Sequence, residues 1–119
     1  MSGVELRVVP VEDLDAREAF VRLPWRIYGG DPRWVPPLLA DVRSMLDPDE
    51  HPFHLHSEVR LFLALREGRP VGRIAAIHNT RHVAHHGEPV GFFGFFETER
   101  DRGTAAALLD AAGDWLRRR

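Results

Sequence analysis

The 119 residues contain no cysteine and no lysine. Without cysteine there is no disulfide framework, no thiol nucleophile and no thiolate metal site. Without lysine there is no Schiff-base chemistry and no phosphate-loop lysine. All 16 basic residues are arginine, which leaves bidentate phosphate contacts open. Charge of one sign is also scarce: the net charge of -2 offers no broad attraction for nucleic acid. No apolar run approaches the roughly 18 residues of a membrane span. The N-terminal stretch carries Glu5, Arg7, Glu12 and Asp13, so neither export nor membrane insertion is expected and the cytoplasm is the expected location.

What is present suffices for one domain. Hydrophobic residues make up 44% and aromatics 9%, enough for a modest core. Residues 4–9 alternate apolar and polar side chains and read as a strand ended by Pro10. From Asp13 to Tyr28 the residues Leu14, Ala16, Ala19, Phe20, Leu23 and Ile27 recur at helical spacing. Gly29-Gly30 stops that run, and Pro24 should kink or divide it. Six of the nine prolines fall between residues 24 and 52, predicting irregular backbone with one short helix near 38–46. Two β-rich runs, 58–65 and 71–77, flank Arg66-Glu67-Gly68-Arg69-Pro70 and read as an antiparallel hairpin. A polar, histidine-rich loop is expected over 79–89 and a strand over 90–96. On that strand Phe92 and Phe96 should share one face, and Phe93 and Phe95 the other, so both faces must be covered and the strand is expected inside a sheet. From Thr104 onward Ala105, Leu108, Leu109, Ala112 and Leu116 form an apolar helical stripe.

The segment Glu97-Thr98-Glu99-Arg100-Asp101-Arg102-Gly103-Thr104-Ala105 joins that strand to that helix. A helix start leaves backbone N–H groups without intrahelical partners, and the helix dipole places positive potential there, so the turn is a candidate anion site. Glu97, Glu99 and Asp101 oppose that reading with negative charge, and acids at a helix start are also ordinary capping residues. Seven histidines include His51-x-x-His54-x-His56 and His78, His82, His85 and His86. None is accompanied by a carboxylate or thiolate at a recognised ligand spacing, so they read as loop histidines and no metal is expected. Arg117-Arg118-Arg119 is accounted for by the dipole at a helix C-terminus.

The order strand, helix, helix, strand, strand, strand, helix resembles the first half of a GNAT-type acetyltransferase. Arg100-x-x-Gly103-x-Ala105, between a strand and a helix, is similar to that superfamily's acyl-CoA motif. The stretch from Ala64 to Ala75 is similar to the hairpin that precedes it. Leu23-Pro24-Trp25-Arg26-Ile27-Tyr28, Trp34-Val35-Pro36-Pro37-Leu38-Leu39 and Gly91-Phe92-Phe93-Gly94-Phe95-Phe96-Glu97 resemble a group of mostly uncharacterised bacterial GNAT-like proteins with much longer chains.

The resemblance implies an α+β fold with a mainly antiparallel sheet flanked by helices, residues 1–119 being the N-terminal half of an acyltransferase domain that lacks its C-terminal strands. It implies acetyl-CoA or another acyl-CoA as cosubstrate, bound around Phe95, Phe96, Arg100, Asp101, Arg102, Gly103, Thr104 and Ala105. The acceptor would be a small-molecule amine, beside Trp25, Tyr28 and Trp34. Glu97 is the carboxylate placed to take the amine proton; a solvated strand-end glutamate is the other reading. The family's usual general acid, a tyrosine on the fourth helix, has no counterpart, since Tyr28 is the single tyrosine. In the absence of a neighbouring strand, the strand over 90–96 would expose its edge and its rings, predicting a homodimer or an aggregate; the alternative to the acyltransferase reading is then a non-catalytic fragment or interaction module that self-associates through this edge.

Overall fold

The computed structural model describes residues 6–36, 39–47, 57–79 and 91–118. The elements run β1 (Leu6–Pro10), α1 (Leu14–Tyr28), α2 (Leu39–Leu46), β2 (Ser57–Arg66), β3 (Arg69–Asn79), β4 (Phe92–Thr98) and α3 (Arg102–Arg117). The fold is α+β, in the expected element order. The expected residues Val4, Glu5, Leu38, Phe53 and Val90 lie outside the described residues, as do most of the 79–89 loop and every histidine except His78.

The four strands form one antiparallel sheet in the order β1-β2-β3-β4. Arg66 pairs with Arg69 across a two-residue turn, and both turn residues are left-handed, Glu67 at φ 54° and Gly68 at φ 74°. That is the backbone a tight hairpin needs to match strand twist, and glycine adopts it without strain.

Alternation along β2 and β3 sorts the core into two layers. Phe62, Ala64, Ile74 and Ala76 face α3, where Leu108 and Ala112 cover them. Leu63 and Ala75 face the other way and are covered by Phe20 and Val21 of α1 and by Val42 and Leu46 of α2. Both faces of the central strands are therefore buried, so their sequence is almost continuously apolar.

Several local expectations are corrected. Leu14, counted in the apolar stripe of α1, is 75% exposed, because it sits in the first turn beyond the sheet's reach. Asp13 caps that turn, its side chain accepting the Ala16 N–H at 2.7 Å. Pro24 does not divide the helix, which continues to Tyr28. Pro10 ends β1 from inside the strand, a position open to proline in an edge strand. The last strand runs on to Thr98 and takes Glu97 into the sheet, while α3 begins at Arg102, two residues earlier than its apolar stripe suggests.

The two-face arrangement of the phenylalanines is also overturned. Phe93 pairs with Ala76 on the α3 side, whereas the Phe95 ring packs on Phe20 on the α1 side. The cause is a β-bulge in β4, described next. Nor does β4 lie inside the sheet with both faces covered: among the described residues it is an edge strand, with Phe92, Phe93 and Phe96 exposed.

Candidate active site at the bulge of the last strand

Arg73 pairs with Glu97 and Ala75 pairs with Gly94, so Phe95 and Phe96 together stand opposite Ile74 alone. Phe95 takes the extra residue's conformation, with φ at 51°, a region that non-glycine residues enter at a cost of order 1–3 kcal/mol. This inserted residue decides where Glu97 points. In an unbulged strand continuing from the Gly94 pair, Glu97 would oppose Gly72 and face α3. With the bulge it opposes Arg73 and faces α1.

On that face the Tyr28 hydroxyl donates to Glu97 Oε1 at 2.6 Å, across 69 residues of sequence. The hydrogen bond to Glu97 first, and burial second, hold the Tyr28 phenol above its ordinary 10.0, with Arg73 opposing. Trp25 and Tyr28 stand three apart on the last turns of α1 and share a side of the helix. The chain then doubles back: the Asp31 N–H donates to Tyr28 O at 2.8 Å and the Trp34 N–H to Asp31 O at 3.1 Å. Trp34 thereby meets Trp25 edge-on at 5.4 Å and lies 5.9 Å from the Tyr28 ring. The four predicted acceptor-side residues, Trp25, Tyr28, Trp34 and Glu97, form one contiguous half-buried cluster.

The start of α3 is built around Asp101. Its carboxylate accepts the Gly103 N–H at 3.0 Å and the Thr104 hydroxyl at 2.8 Å. Those bonds, the Thr104 hydroxyl foremost, hold the Asp101 carboxyl below its usual range. Arg66, at the end of β2, donates to the same carboxylate at 2.5 Å and to Thr104 Oγ1 at 3.3 Å. Of the eight residues predicted for acyl-CoA, Arg100, Asp101, Arg102 and Gly103 are exposed at this turn and Ala105 is half-buried. Thr104 is fully buried, and the Phe95 ring lies against Phe20, 6.2 Å between centroids. Phe96 is exposed.

Two arginines that sequence reasoning passed over hold this region. Arg66 supplies the counter-charge at the α3 start. Arg73 is only 6% exposed and lies between the rings of Phe20 and Phe95. A signal for Arg73 was available: it interrupts a run of small and apolar residues from Val71 to Ala76 that has no room for a solvated side chain. Elsewhere His78 Nδ1 approaches Glu58 at 3.7 Å, and no group of three or more potential metal ligands occurs among the described residues. No helix of the described residues is long and apolar enough to cross a membrane.

No family profile matches the chain. It is 40% identical over 119 residues to "Bacterial ceramide synthase" of Caulobacter vibrioides (strain NA1000 / CB15N), covering 99% of this chain and 31% of that protein. It is 34% identical over 100 residues to "Protein YghO" of Escherichia coli (strain K12), covering 84% of this chain and 25% of that protein. The chain thus spans about a third or less of the length of the curated relatives it matches. Among solved structures, a tandem GNAT protein from the clavulanic acid biosynthesis pathway superposes with a TM-score of 0.69 at 22% identity, over 96% of this chain and 34% of that one. An aminoglycoside acetyltransferase from an uncultured soil metagenomic sample, in complex with trehalose, superposes with a TM-score of 0.59 at 13% identity, over 97% of this chain and 70% of that one. At such identities the likeness is one of fold, and the fold is a partial GNAT fold.

Proposed function

From a partial GNAT fold, the architecture of the acetyltransferases it superposes on, we propose that this chain is part of an acyl-CoA-dependent N-acyltransferase. The observation that carries the reading is the bulge at Phe95, which turns Glu97 onto the face that holds Tyr28, Trp25 and Trp34. An acyl-CoA supplies a thioester carbonyl. The acceptor amine forms the new C–N bond, the C–S bond breaks, the sulfur leaves as the CoA thiolate, and Glu97 takes the proton the nitrogen loses, which is then free to pass to the thiolate. Tyr28 holds Glu97 by its hydrogen bond, and the neighbouring indoles offer apolar and π surface to an aliphatic ammonium.

The residues at the start of α3 fit a diphosphate in part. Arg100 and Arg102 are exposed beside the helix start and can reach an anion. Asp101 already accepts the Gly103 N–H, so a diphosphate shares that turn with a carboxylate that Arg66 neutralises. For substrate class, the name of the Caulobacter relative supports a long-chain amine as acceptor and a fatty acyl thioester as donor. The exposed rings of Phe92, Phe93 and Phe96 offer apolar surface for such chains.

Titration calorimetry of the protein at its natural length with acetyl-CoA and palmitoyl-CoA tests the reading. Binding is expected, with turnover of a long-chain amine lowered about 10²–10⁴-fold by Glu97→Gln. Absence of binding to both thioesters sinks the proposal, and undiminished turnover in Glu97→Gln removes the role given to Glu97.

A second reading is favoured by the exposed edge of β4: two copies pair through Phe92–Thr98 as an interaction module. Light scattering at high concentration then gives twice the monomer mass or more, and Phe93→Glu returns the monomer. A clean monomer in the unmodified chain overturns it.

A further inference from the structure

Arg73 is a buried cation with an unusual pair of partners. Burial pushes its guanidinium down to about 10, with Glu97 opposing, so it stays charged at neutral pH. A cation in such a place is tolerated only when its donors are well used. Arg73 Nε donates to Phe95 O at 3.0 Å and Nη1 to Phe20 O at 2.7 Å.

The two carbonyls call for this donor for different reasons, one written in the sequence and one set by the fold. In a regular helix Phe20 O accepts from the N–H four residues later, and that residue is Pro24, which has none. Phe95 is the bulged residue, standing outside the regular pairing of β3 with β4. One side chain therefore bonds a proline break in the hydrogen-bond ladder of the continuous helix α1 and a bulge in β4. The rings of the same two residues flank the guanidinium, at 5.0 Å for Phe20 and 5.6 Å for Phe95. Beyond the break α1 carries Trp25 and Tyr28, and beyond the bulge β4 carries Glu97.

We propose that Arg73 is a positioning residue for acyl transfer, clamping the Pro24 break of α1 to the Phe95 bulge of β4 and so keeping Tyr28 and Glu97 in contact. The role in turnover rests on the acyl-transfer reading; the clamp itself does not.

Three variants test it: Arg73→Met, Arg73→Lys, and Arg73→Met combined with Pro24→Ala. With an acyl-CoA and a long-chain amine, Arg73→Met is expected to lower kcat about 10²-fold while leaving KM for the acyl-CoA unchanged. Arg73→Lys recovers only part of the loss, since one ammonium lacks the planar fork that spans two carbonyls. Pro24→Ala gives Phe20 O a helical donor again, so the double variant regains thermal stability and not kcat. Recovery of both together, or a kcat in Arg73→Met equal to wild type, overturns the proposal. Should Arg73→Met fail to fold, Arg73→Lys and the double variant carry the test.

A second measurement needs no activity. Tyr28 is the single tyrosine, and its ionisation is followed by ultraviolet absorbance. Losing the Arg73 cation alone moves the Tyr28 transition upward, or leaves it in place where the guanidinium has already lost its proton, because only the charged form favours the phenolate. Losing the clamp releases Glu97 and moves it down toward 10.0, because the Glu97 hydrogen bond is what raises it most. A downward move in Arg73→Met supports the clamp, and an upward move or an unmoved transition overturns it. If the wild-type protein transfers no acyl group, the functional reading fails and the direction of this shift alone judges the clamp.

Discussion

Replacing Phe20 with alanine is expected to destabilise the fold by about 3–5 kcal/mol, the range for a fully buried phenylalanine whose site cannot collapse. Phe20 has no exposed surface and stands among Val21, Val42, Leu63 and Ala75, where α1, α2 and the sheet meet. Its ring also supports Phe95 and one face of the Arg73 guanidinium, so the substitution leaves a cavity against a buried cation. Urea unfolding measures the effect as a fall in the midpoint at constant slope. Phe20→Leu separates the two contributions. It keeps most of the volume and should cost under about 1.5 kcal/mol as packing, with any excess belonging to the lost ring contacts. A loss under about 1 kcal/mol in Phe20→Ala contradicts the position of this ring at the centre of the layer.

The second large effect lies on the opposite face, in the pair Gly72 and Leu108. A Cβ on Gly72 would sit 2.7 Å from Leu108 Cδ1, 3.0 Å from Thr104 Cγ2 and 3.2 Å from Thr98 Oγ1. The helix α3 approaches β3 closely enough that only glycine fits beneath it. Gly72→Ala is expected to cost about 1–3 kcal/mol by overpacking. Leu108, fully buried in the same layer, should cost about 2–5 kcal/mol when cut to alanine. The two changes are not independent, because the added methyl enters the space the leucine vacates. The double variant should therefore be more stable than the sum predicts, by about 0.5–3 kcal/mol. Strict additivity in a double-mutant cycle would show that Gly72 is required for some reason other than the approach of α3.

Much of the architecture is legible from residue patterns. The β-rich runs of β2 and β3, the Glu67-Gly68 turn and the apolar stripe of α3 are local properties, each set by side chains within a few residues of one another. The aromatic residues at the end of α1 and Glu97 at the end of β4 were also visible as unusual groups. Their meeting was not. Counting in twos along Gly91–Phe96 gives the wrong faces, because a bulge shifts the count and nothing in these phenylalanine and glycine residues marks where it falls. The conformation at Phe95 is held by Arg73 and Phe20, residues 22 and 75 positions away. Likewise a proline inside a helical pattern signals a break, whereas α1 continues past Pro24 and Arg73 donates to the Phe20 carbonyl that the proline leaves without a helical donor.

The amino-acid sequence by itself determined the element order, the hairpin of the central strands and the absence of thiol and lysine chemistry, since these follow from composition, periodicity and turn residues. Tertiary structure alone decided that Arg100–Ala105 opens on a turn already occupied by Asp101 and Arg66, and that Glu97 faces Tyr28. The physical reason is common to both. A carboxylate's partner, and the face a strand residue takes after a bulge, depend on groups brought close by folding, and no local spacing encodes them.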